Sequence, residues 1–367
     1  MVTIAQTQCI TLQEKVEEIK EEEKTKEPYK REIVWFNAIG FLLLHIAAVY
    51  GLFLLAFYGR VVTWIYIVVF NLMCGLGVTV GAHRLFTHRC FKAKWGVRLA
   101  LIILHTVAGQ NCLYIWVRDH RQHHKYSDTD ADPHNATRGF FFSHIGWLMC
   151  RKHPDVKKMG RYVDLSDLEA DPIVMFQKKY YKTLYFFFSM CFPIAIPVLC
   201  WNEDFWVAVY GCYFFRMITV LNITWLVNSA AHMYGTRPYN NHIEPVESNI
   251  VAFLSLGEGW HNYHHCFPWD YRAAELGMKH DLSTKVIDFM ARRGWVYDLK
   301  FASENMVKKR AMMFGDGTHP LYHPEGDAPK GASHEVDAIV TKRKNAAGDS
   351  REFVQALPTK EATMTIG

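Results

Sequence analysis

The sequence predicts an all-α integral membrane protein with four transmembrane helices. Three observations lead to this fold class: long apolar stretches, very short connections between some of them, and an uneven distribution of lysine and arginine. Four stretches are long and apolar enough to cross the roughly 30 Å hydrocarbon core of a bilayer. They lie at residues 33–57, 61–82, 183–201 and 205–227.

The first stretch is predicted to be a transmembrane helix rather than a cleavable signal peptide. A long polar segment precedes it, and this segment includes the acidic run "EKVEEIKEEE". Residues 1–30 and 315–367 are polar, so we expect them to be flexible tails on either side of a membrane domain at 31–314.

The connections and the charges together predict a topology. Only "YGR" joins the first two stretches and only "NED" joins the last two, whereas lysine and arginine gather in segments such as "EPYKRE" and "RKHPDVKK". By the positive-inside rule, both termini and the long central segment are cytosolic. Everything between the second and third helices, and everything after the fourth, then shares one face of the membrane.

A fifth apolar run, at 99–116, contains His105, Gln110 and Asn111. These polar residues favour an interfacial or re-entrant helix. The alternative is a fifth full span, which would place the motif that follows it on the opposite face.

The histidines are grouped in a repeated pattern. "HRQHH" at 120–124 and "HNYHH" at 261–265 have the same spacing, which places three imidazoles on one face of a helix. A third motif, "HRLFTH", contributes His83 and His88. Because these two lie about 140° apart on an ideal helix, they can share a site only if His88 lies past the helix end. His232 follows Asn228 by four residues, on the same helical face.

These motifs contribute nine imidazoles, which is more than one metal ion takes, so the pattern predicts two metals. Imidazole suits zinc, copper and iron alike, and the residues do not separate them. The nine cysteines form no CxxC pair, which argues against a zinc ribbon, an iron–sulfur cluster and a disulfide framework. The net charge of +5 is mild and no basic–aromatic run is present, so no nucleic-acid partner is expected.

Four motifs together carry a resemblance to a known family. "GAHRLFTH", "RDHRQHHKYSDTDADPHN", "RGFFFSHIGWL" and "GEGWHNYHHCFPWDYRAAELG" closely resemble membrane fatty acyl-CoA desaturases of the stearoyl-CoA type. The similarity runs from about residue 34 to residue 298, and "PWDYRAAELG" looks most like the insect branch, which includes moth pheromone desaturases.

The resemblance implies a fold, an activity and a set of partners. The fold would be four transmembrane helices beneath a cytosolic helical cap that holds two iron ions. The activity would be O2-dependent conversion of a saturated fatty acyl-CoA to a cis-enoyl-CoA, in the endoplasmic reticulum membrane. Because the chain has no cytochrome motif of its own, electrons would come from cytochrome b5 and cytochrome b5 reductase.

The resemblance also implies roles for individual residues. The metal site would comprise His83, His88, His120, His123, His124, His232, His261, His264 and His265, with Asn228 holding a metal-bound water. The CoA headgroup would contact Asn37, Asn111, Arg118, Asp119, Arg151 and Lys152. For Arg151 and Lys152 the alternative is flanking charge of the positive-inside kind. Gln110, Trp116 and Thr224 would shape the kink of the acyl tunnel, although each is equally compatible with plain packing.

From the chemistry of metal sites, five acids are candidates to orient the ligands, with ordinary solvated charge as the alternative. They are Asp119, Asp128, Asp130, Asp132 and Glu258.

Several departures from the family pattern leave the double-bond position open. Phe86 stands where the family usually has tryptophan, "EPVE" matches no class of relatives, and the tunnel floor near Phe70, Asn71 and Gly75 is atypical. The sequence slightly favours Δ11 desaturation of saturated C14–C16 acyl-CoA, with Δ9 activity close behind.

A hydroxylase, acetylenase or conjugase is the alternative within the enzyme class, since a histidine-rich diiron site can support each of these reactions. A metal transporter is the alternative from another class. It would need ionisable ligands near the middle of the spans, whereas these histidines lie at or beyond the span ends.

Overall fold

The computed structural model describes residues 30–275 and 280–322. Most of both predicted tails, at 1–29 and 323–367, lies outside the described residues. Residues 315–322 pack against the rest of the chain: His319 is fully buried and its Nε2 lies 3.1 Å from Glu275 Oε2. Ordered structure therefore continues past the boundary predicted at 314.

Four helices are long and apolar enough to cross a membrane. They are TM1 (Trp35–Tyr58), TM2 (Val61–Thr87), TM3 (Pro172–Trp201) and TM4 (Phe205–His232). TM3 begins eleven residues before the predicted start at 183. Asp171 accepts a hydrogen bond from the Ile173 amide at 3.0 Å, and Pro172 suits the first helical position, so the helix starts in a polar segment.

Three of the spans change from α- to π-helical geometry along their length. The α-helical parts are Val61–Leu76 in TM2, Pro172–Tyr185 and Phe192–Trp201 in TM3, and Phe205–Val207 and Arg216–Asn228 in TM4. The π-helical parts are Gly77–Thr87, Phe186–Cys191 and Ala208–Phe215, and a separate π turn lies at Phe142–Gly146. TM4 ends in a 3₁₀ turn, Ala230–His232.

The described structure outside the spans contains several shorter helices. They are Trp95–Ala108, Leu113–Lys125, Trp147–Met149, Pro154–Gly160, Ser166–Glu169, Asn249–Leu254, His261–Cys266, Leu282–Arg292 and Glu304–Phe314, with a 3₁₀ turn at Ala136–Arg138. Two short strands, Lys92–Ala93 and Val296–Tyr297, pair antiparallel, so the predicted all-α class holds apart from this small ladder.

The fifth apolar run forms a bent pair of helices, Trp95–Ala108 and Leu113–Lys125, which meet at 85°. The bend follows Gly109, whose φ of 73° lies in the left-handed region. The chain leaves TM2 at His88 and comes back at His120, where the two ring centroids are 5.3 Å apart. The run is therefore re-entrant, and the alternative of a fifth full span is wrong.

A buried arginine fixes this bend against the spans. Arg216 of TM4 is fully buried and donates to the carbonyl oxygens of Val107 (3.2 Å), Ser189 (3.1 Å) and Cys212 (2.9 Å). Val107 precedes the bend and Ser189 belongs to TM3. One guanidinium thus ties the re-entrant pair to two spans.

Candidate metal centre

All nine histidines of the predicted set converge in two adjacent groups. His83, His88, His120, His124 and His264 form the first group, and His123, His232, His261 and His265 form the second. Within each group, one ring nitrogen per residue lies within 4.8 Å of all the others. The groups touch, because the rings of His124 and His265 stack with centroids 4.2 Å apart.

The local structure of each motif delivers its imidazoles to this place. The two H-x-x-H-H motifs are helical, as predicted, within Leu113–Lys125 and His261–Cys266. His88 lies just past the helix end, also as predicted, and its amide donates to the His83 carbonyl at 3.1 Å. A hydrogen bond between residues five apart is characteristic of a π-helix. The ring centroids of His83 and His88 are 4.8 Å apart.

Buried nitrogens without partners show that the residues fit metal ions. Nε2 of His88, His120, His123 and His232 is buried and has no hydrogen-bond partner among the described residues. Each such atom costs about 1–3 kcal/mol if it stays unsatisfied. Nε2 of His264 lies 2.9 Å from Nε2 of His83 and 3.0 Å from Nε2 of His124, so lone pairs point at a common centre. An imidazole donor set of this kind suits first-row transition metals.

The protonation of the "HNYHH" motif favours metal ligation. Burial lowers the pKa of His261, His264 and His265 well below the ordinary value, and the neighbouring imidazoles lower it further. These rings are therefore neutral at physiological pH, and the neutral ring is the form that binds a metal.

Three carboxylates orient the histidines from behind. Glu258 Oε2 lies 2.7 Å from His83 Nδ1, and Asp132 Oδ2 lies 2.8 Å from His123 Nδ1. Asp128 Oδ2 is 3.0 Å from Nδ1 of His232. Each contact leaves the Nε2 atom of its histidine facing the centre. A carboxylate on the outer nitrogen is the usual way in which proteins fix a metal-binding imidazole.

The other two acidic candidates do not act in this way. Asp119 pairs with Arg118 at 2.7 Å and with Lys152 at 2.6 Å. Asp130 is largely exposed and pairs with Arg138 at 2.6 Å. Neither contacts any of the nine histidines in the described structure, so the prediction that they orient ligands is wrong.

Sequence reasoning missed Arg84, which supports the same site. Its guanidinium is fully buried and lies 2.9 Å from Glu258 Oε1 and 3.2 Å from Asp281 Oδ1. Burial raises the pKa of Glu258, but Arg84 and His83 outweigh it and lower this pKa to about 2. Glu258 therefore stays ionised against His83. The available signal was a charged residue beside His83 at the end of an apolar run.

The predicted headgroup residues fall into separate places. Arg118, Asp119 and Lys152 form one ion-pair cluster. Arg151 Nε pairs with Glu32 at 2.7 Å. The side-chain amide of Asn37 donates to the Leu148 carbonyl at 2.9 Å, so TM1 packs beside the segment that precedes Arg151. Asn111 lies in the re-entrant bend, with a φ of 76°.

The three predicted kink residues form a hydrogen-bonded row. Trp116 Nε1 donates to Gln110 Oε1 at 3.2 Å, and Gln110 Nε2 donates to Thr224 Oγ1 at 2.7 Å. Trp116 also stacks on His120, with centroids 5.0 Å apart. This row therefore ends against the first histidine group.

The remaining predicted site residues, Asn71, Gly75 and Asn228, lie within TM2 and TM4. Asn71 and Gly75 lie in TM2, where a Cβ on Gly75 would come within 2.7 Å of the Leu256 side chain. Asn228 is half-buried at the last residue of its helix. The backbone of Ser229 (φ −113°, ψ −72°) interrupts the helix before His232. The continuous helical face predicted for Asn228 and His232 is therefore not present.

Comparison with known proteins identifies the family. The profile of the fatty acid desaturase family matches residues 61–298. The acyl-CoA Delta-9 desaturase of Acheta domesticus is 51% identical over 327 residues, which cover 88% of this chain and 90% of that protein. The acyl-CoA Delta12-desaturase of the same species is 50% identical, over 85% of this chain and 88% of that protein. The acyl-CoA Delta(11) desaturase of Spodoptera littoralis is 49% identical, over 82% and 89% of the two chains. The resemblance found in the motifs is thus confirmed: this chain belongs to the fatty acid desaturase family, as an insect acyl-CoA desaturase and a multi-pass membrane oxidoreductase.

Proposed function

We propose that this protein is an O2-dependent acyl-CoA desaturase that holds two iron ions. The observation that carries the proposal is the division of nine histidines into a group of five and a group of four. Bound iron would supply the activation of O2 that allows two hydrogens to be removed from adjacent methylenes. Asn228, four residues before His232 of the four-histidine group, would complete that group through a water molecule.

The protein's own residues position the substrate. Arg118, Arg151 and Lys152 would pair with the phosphates of CoA, and Asn37, Asn111 and Asp119 would contact the rest of the headgroup. The Trp116–Gln110–Thr224 row would bend the acyl chain. Because Trp116 stacks on His120, a chain that follows this row passes beside the metal ligands.

The reaction defines the remaining partners. Desaturation of one methylene pair consumes O2, two electrons and two protons, and releases two molecules of water. Electrons would come from cytochrome b5 and its reductase. Both termini and the histidine clusters would face the cytosol from the endoplasmic reticulum membrane, as the lysine and arginine bias favours.

For the product we propose Δ11 desaturation of saturated C14–C16 acyl-CoA. The support is the floor of the predicted tunnel, where Gly75 leaves space for Leu256 and the buried Asn71 Oδ1 has no partner among the described residues. Relatives named for Δ9, Δ11 and Δ12 activity are about equally similar to this chain. Δ9 desaturation is the second candidate, since a Δ9 relative is 51% identical.

The metal assignment is tested by replacing one ligand and one unrelated histidine. Purified protein should contain two irons per chain, and His264→Ala should lose iron and activity while still inserting into membranes. His242→Ala is the control, because His242 is exposed and belongs to neither group. One zinc and no iron in the purified protein would contradict the proposal.

The product is tested in desaturase-deficient yeast fed with saturated fatty acids. Mass spectrometry should locate the new double bond at Δ11 in C14 and C16 chains. Products that are only Δ9 would overturn the Δ11 proposal and leave the desaturase family unaffected.

A further inference from the structure

We propose that two helices outside the spans, Asn249–Leu254 and Leu282–Arg292, are inserted into the bilayer interface on the histidine side of the membrane. Their exposed apolar side chains would contact lipid, and Arg292 and Arg293 would contact anionic headgroups. The occupant of this surface is therefore the bilayer itself.

Contacts with TM2 fix the depth of these helices. The hydrocarbon core takes about 20 residues of helix, so a count from Val61 places its edge at about residue 80. Ser283 Oγ lies 2.7 Å from Oγ1 of Thr79, and the Leu256 side chain packs against Gly75. Both contacts lie at or below this edge, so the segments that carry Ser283 and Leu256 reach the level of the bilayer.

The outer face of Leu282–Arg292 has the composition of an interfacial helix. Lys285, Phe289 and Arg292, spaced four and three residues apart, are exposed together, whereas Ile287 and Met290 are buried. An aromatic residue between basic ones is typical of helices that lie in the headgroup region.

The neighbouring helix adds a more apolar surface. Ile250 is 74% exposed and Phe253 is 65% exposed, within a helix of six residues. The ring of Phe253 contacts His280, just before Leu282–Arg292, with centroids 5.7 Å apart. The two helices therefore present one continuous surface, and an apolar surface of this kind is unfavourable in water.

The surface is continuous with a segment that enters the membrane. Ala93 pairs with Val296, and the Lys94 amide donates to the Trp295 carbonyl at 3.0 Å. This pairing places Trp295 opposite Lys94, which directly precedes Trp95, the first residue of the re-entrant helix. Tryptophans concentrate at the membrane interface, so both residues mark the same level.

The charge of the surface complements an anionic leaflet. Its basic residues are Lys92, Lys94, Lys285, Arg292 and Arg293, and its acidic residues are Asp288 and Asp298. Five positive and two negative charges leave a net charge of +3. Basic residues close to a bilayer are attracted to anionic lipids.

Spin labelling measures the depth directly. Full-length protein would carry a nitroxide amino acid at position 253, 289 or 309 and would be reconstituted in nanodiscs that contain phosphatidylserine. Lys309 is the control, because it is exposed on Glu304–Phe314, a helix that packs in a different apolar cluster with Tyr239 and Phe267. Retained desaturase activity identifies labelled protein that is folded.

Labels at 253 and 289 should collide several-fold more often with O2 than with a water-soluble nickel chelate, and the label at 309 should show the reverse. Equal behaviour at all three positions would overturn the proposal, because the surface would lie in water. Shielding of 253 and 289 from both reagents would also overturn it, since protein would then cover the surface.

The role of the arginines is tested by lipid-dependent stability. Phosphatidylserine should raise the melting temperature of the unmodified protein, and this gain should be lost in Arg292→Gln/Arg293→Gln. Lys308→Gln/Lys309→Gln removes the same charge elsewhere and should keep the gain. An equal gain in both double variants would overturn the contact with anionic headgroups.

Discussion

Asp130 and Asp132 lie two residues apart but have different surroundings. Asp132 is buried against His123, and Asp130 is exposed beside Arg138. Asp132→Asn removes the charge that holds the His123 ring, so we expect iron content and activity to fall about 10–100-fold. Metal analysis and an acyl-CoA turnover assay measure the effect.

Asp130→Asn is the matched control for this prediction. It makes the same chemical change within one loop, and we expect activity within about twofold, because exposed ion pairs contribute little. Equal losses in the two variants would mean that Asp132 acts on the loop and not on His123.

At the residue scale the sequence identifies the ligands better than their supports. The convergence of three imidazoles follows from helix geometry, so the two H-x-x-H-H motifs could be assigned from the sequence alone. The carboxylates that orient the histidines follow no fixed spacing: Asp132 lies 9 residues from His123, whereas Asp128 lies 104 residues from His232. Composition could name five acidic candidates but could not separate Asp130 from Asp132, because their difference is one of burial.

At the scale of elements, the re-entrant bend depends on one glycine. Gly109 has a φ of 73°, and a Cβ there would lie 3.0 Å from the Tyr185 ring. Gly109→Ala should therefore destabilise the protein by about 1 kcal/mol or more. Thermal unfolding in detergent or nanodiscs measures this change.

Gly96 offers a control in the same helix, since a Cβ there would meet nothing within 4 Å. Gly96→Ala should be neutral or stabilising by up to about 1 kcal/mol, because alanine is the better helix former. A loss of stability at Gly96 as large as that at Gly109 would contradict the role assigned to the bend.

Arg216 makes a second prediction at this scale. Arg216→Lys keeps the charge, but a lysine cannot reach the carbonyls of Val107, Ser189 and Cys212 together. We therefore expect the free energy of unfolding to fall by about 2–3 kcal/mol. Arg60→Lys, at an exposed position between TM1 and TM2, should change stability by less than about 0.5 kcal/mol. The melting temperatures of the two variants measure these changes. Equal values would show that Arg216 does not hold the re-entrant pair against the spans.

The elements themselves were only partly predictable. Apolar length located all four spans, but it did not indicate the π-helical part of TM2, because hydropathy does not record which carbonyl an amide contacts. The start of TM3 was missed for a similar reason. Pro172 and its cap Asp171 begin the helix in a polar segment, where apolar length gives no signal.

At the scale of the whole molecule, the decisive feature is the return of the chain between TM2 and TM3. The sequence left open whether the run at 99–116 crosses the membrane. Composition could not decide this, because a re-entrant helix and a span contain similar residues. The contacts of His120 with His83 and His88 settle it, since one chain segment cannot cross the membrane and still meet the end of TM2.

This arrangement predicts the accessibility of two loops on opposite sides of the membrane. We expect a glycosylation acceptor with flexible flanks, inserted after Asp164, to remain unmodified in microsomes, because Asp164 lies between the re-entrant pair and TM3. The same insert after Asn202, in the short turn between TM3 and TM4, should be glycosylated, because TM3 carries the chain to the other face. A shift in gel mobility that is reversed by a glycosidase measures both. Modification after Asp164 would place that loop in the lumen, and the three histidine motifs could then not meet on the cytosolic face.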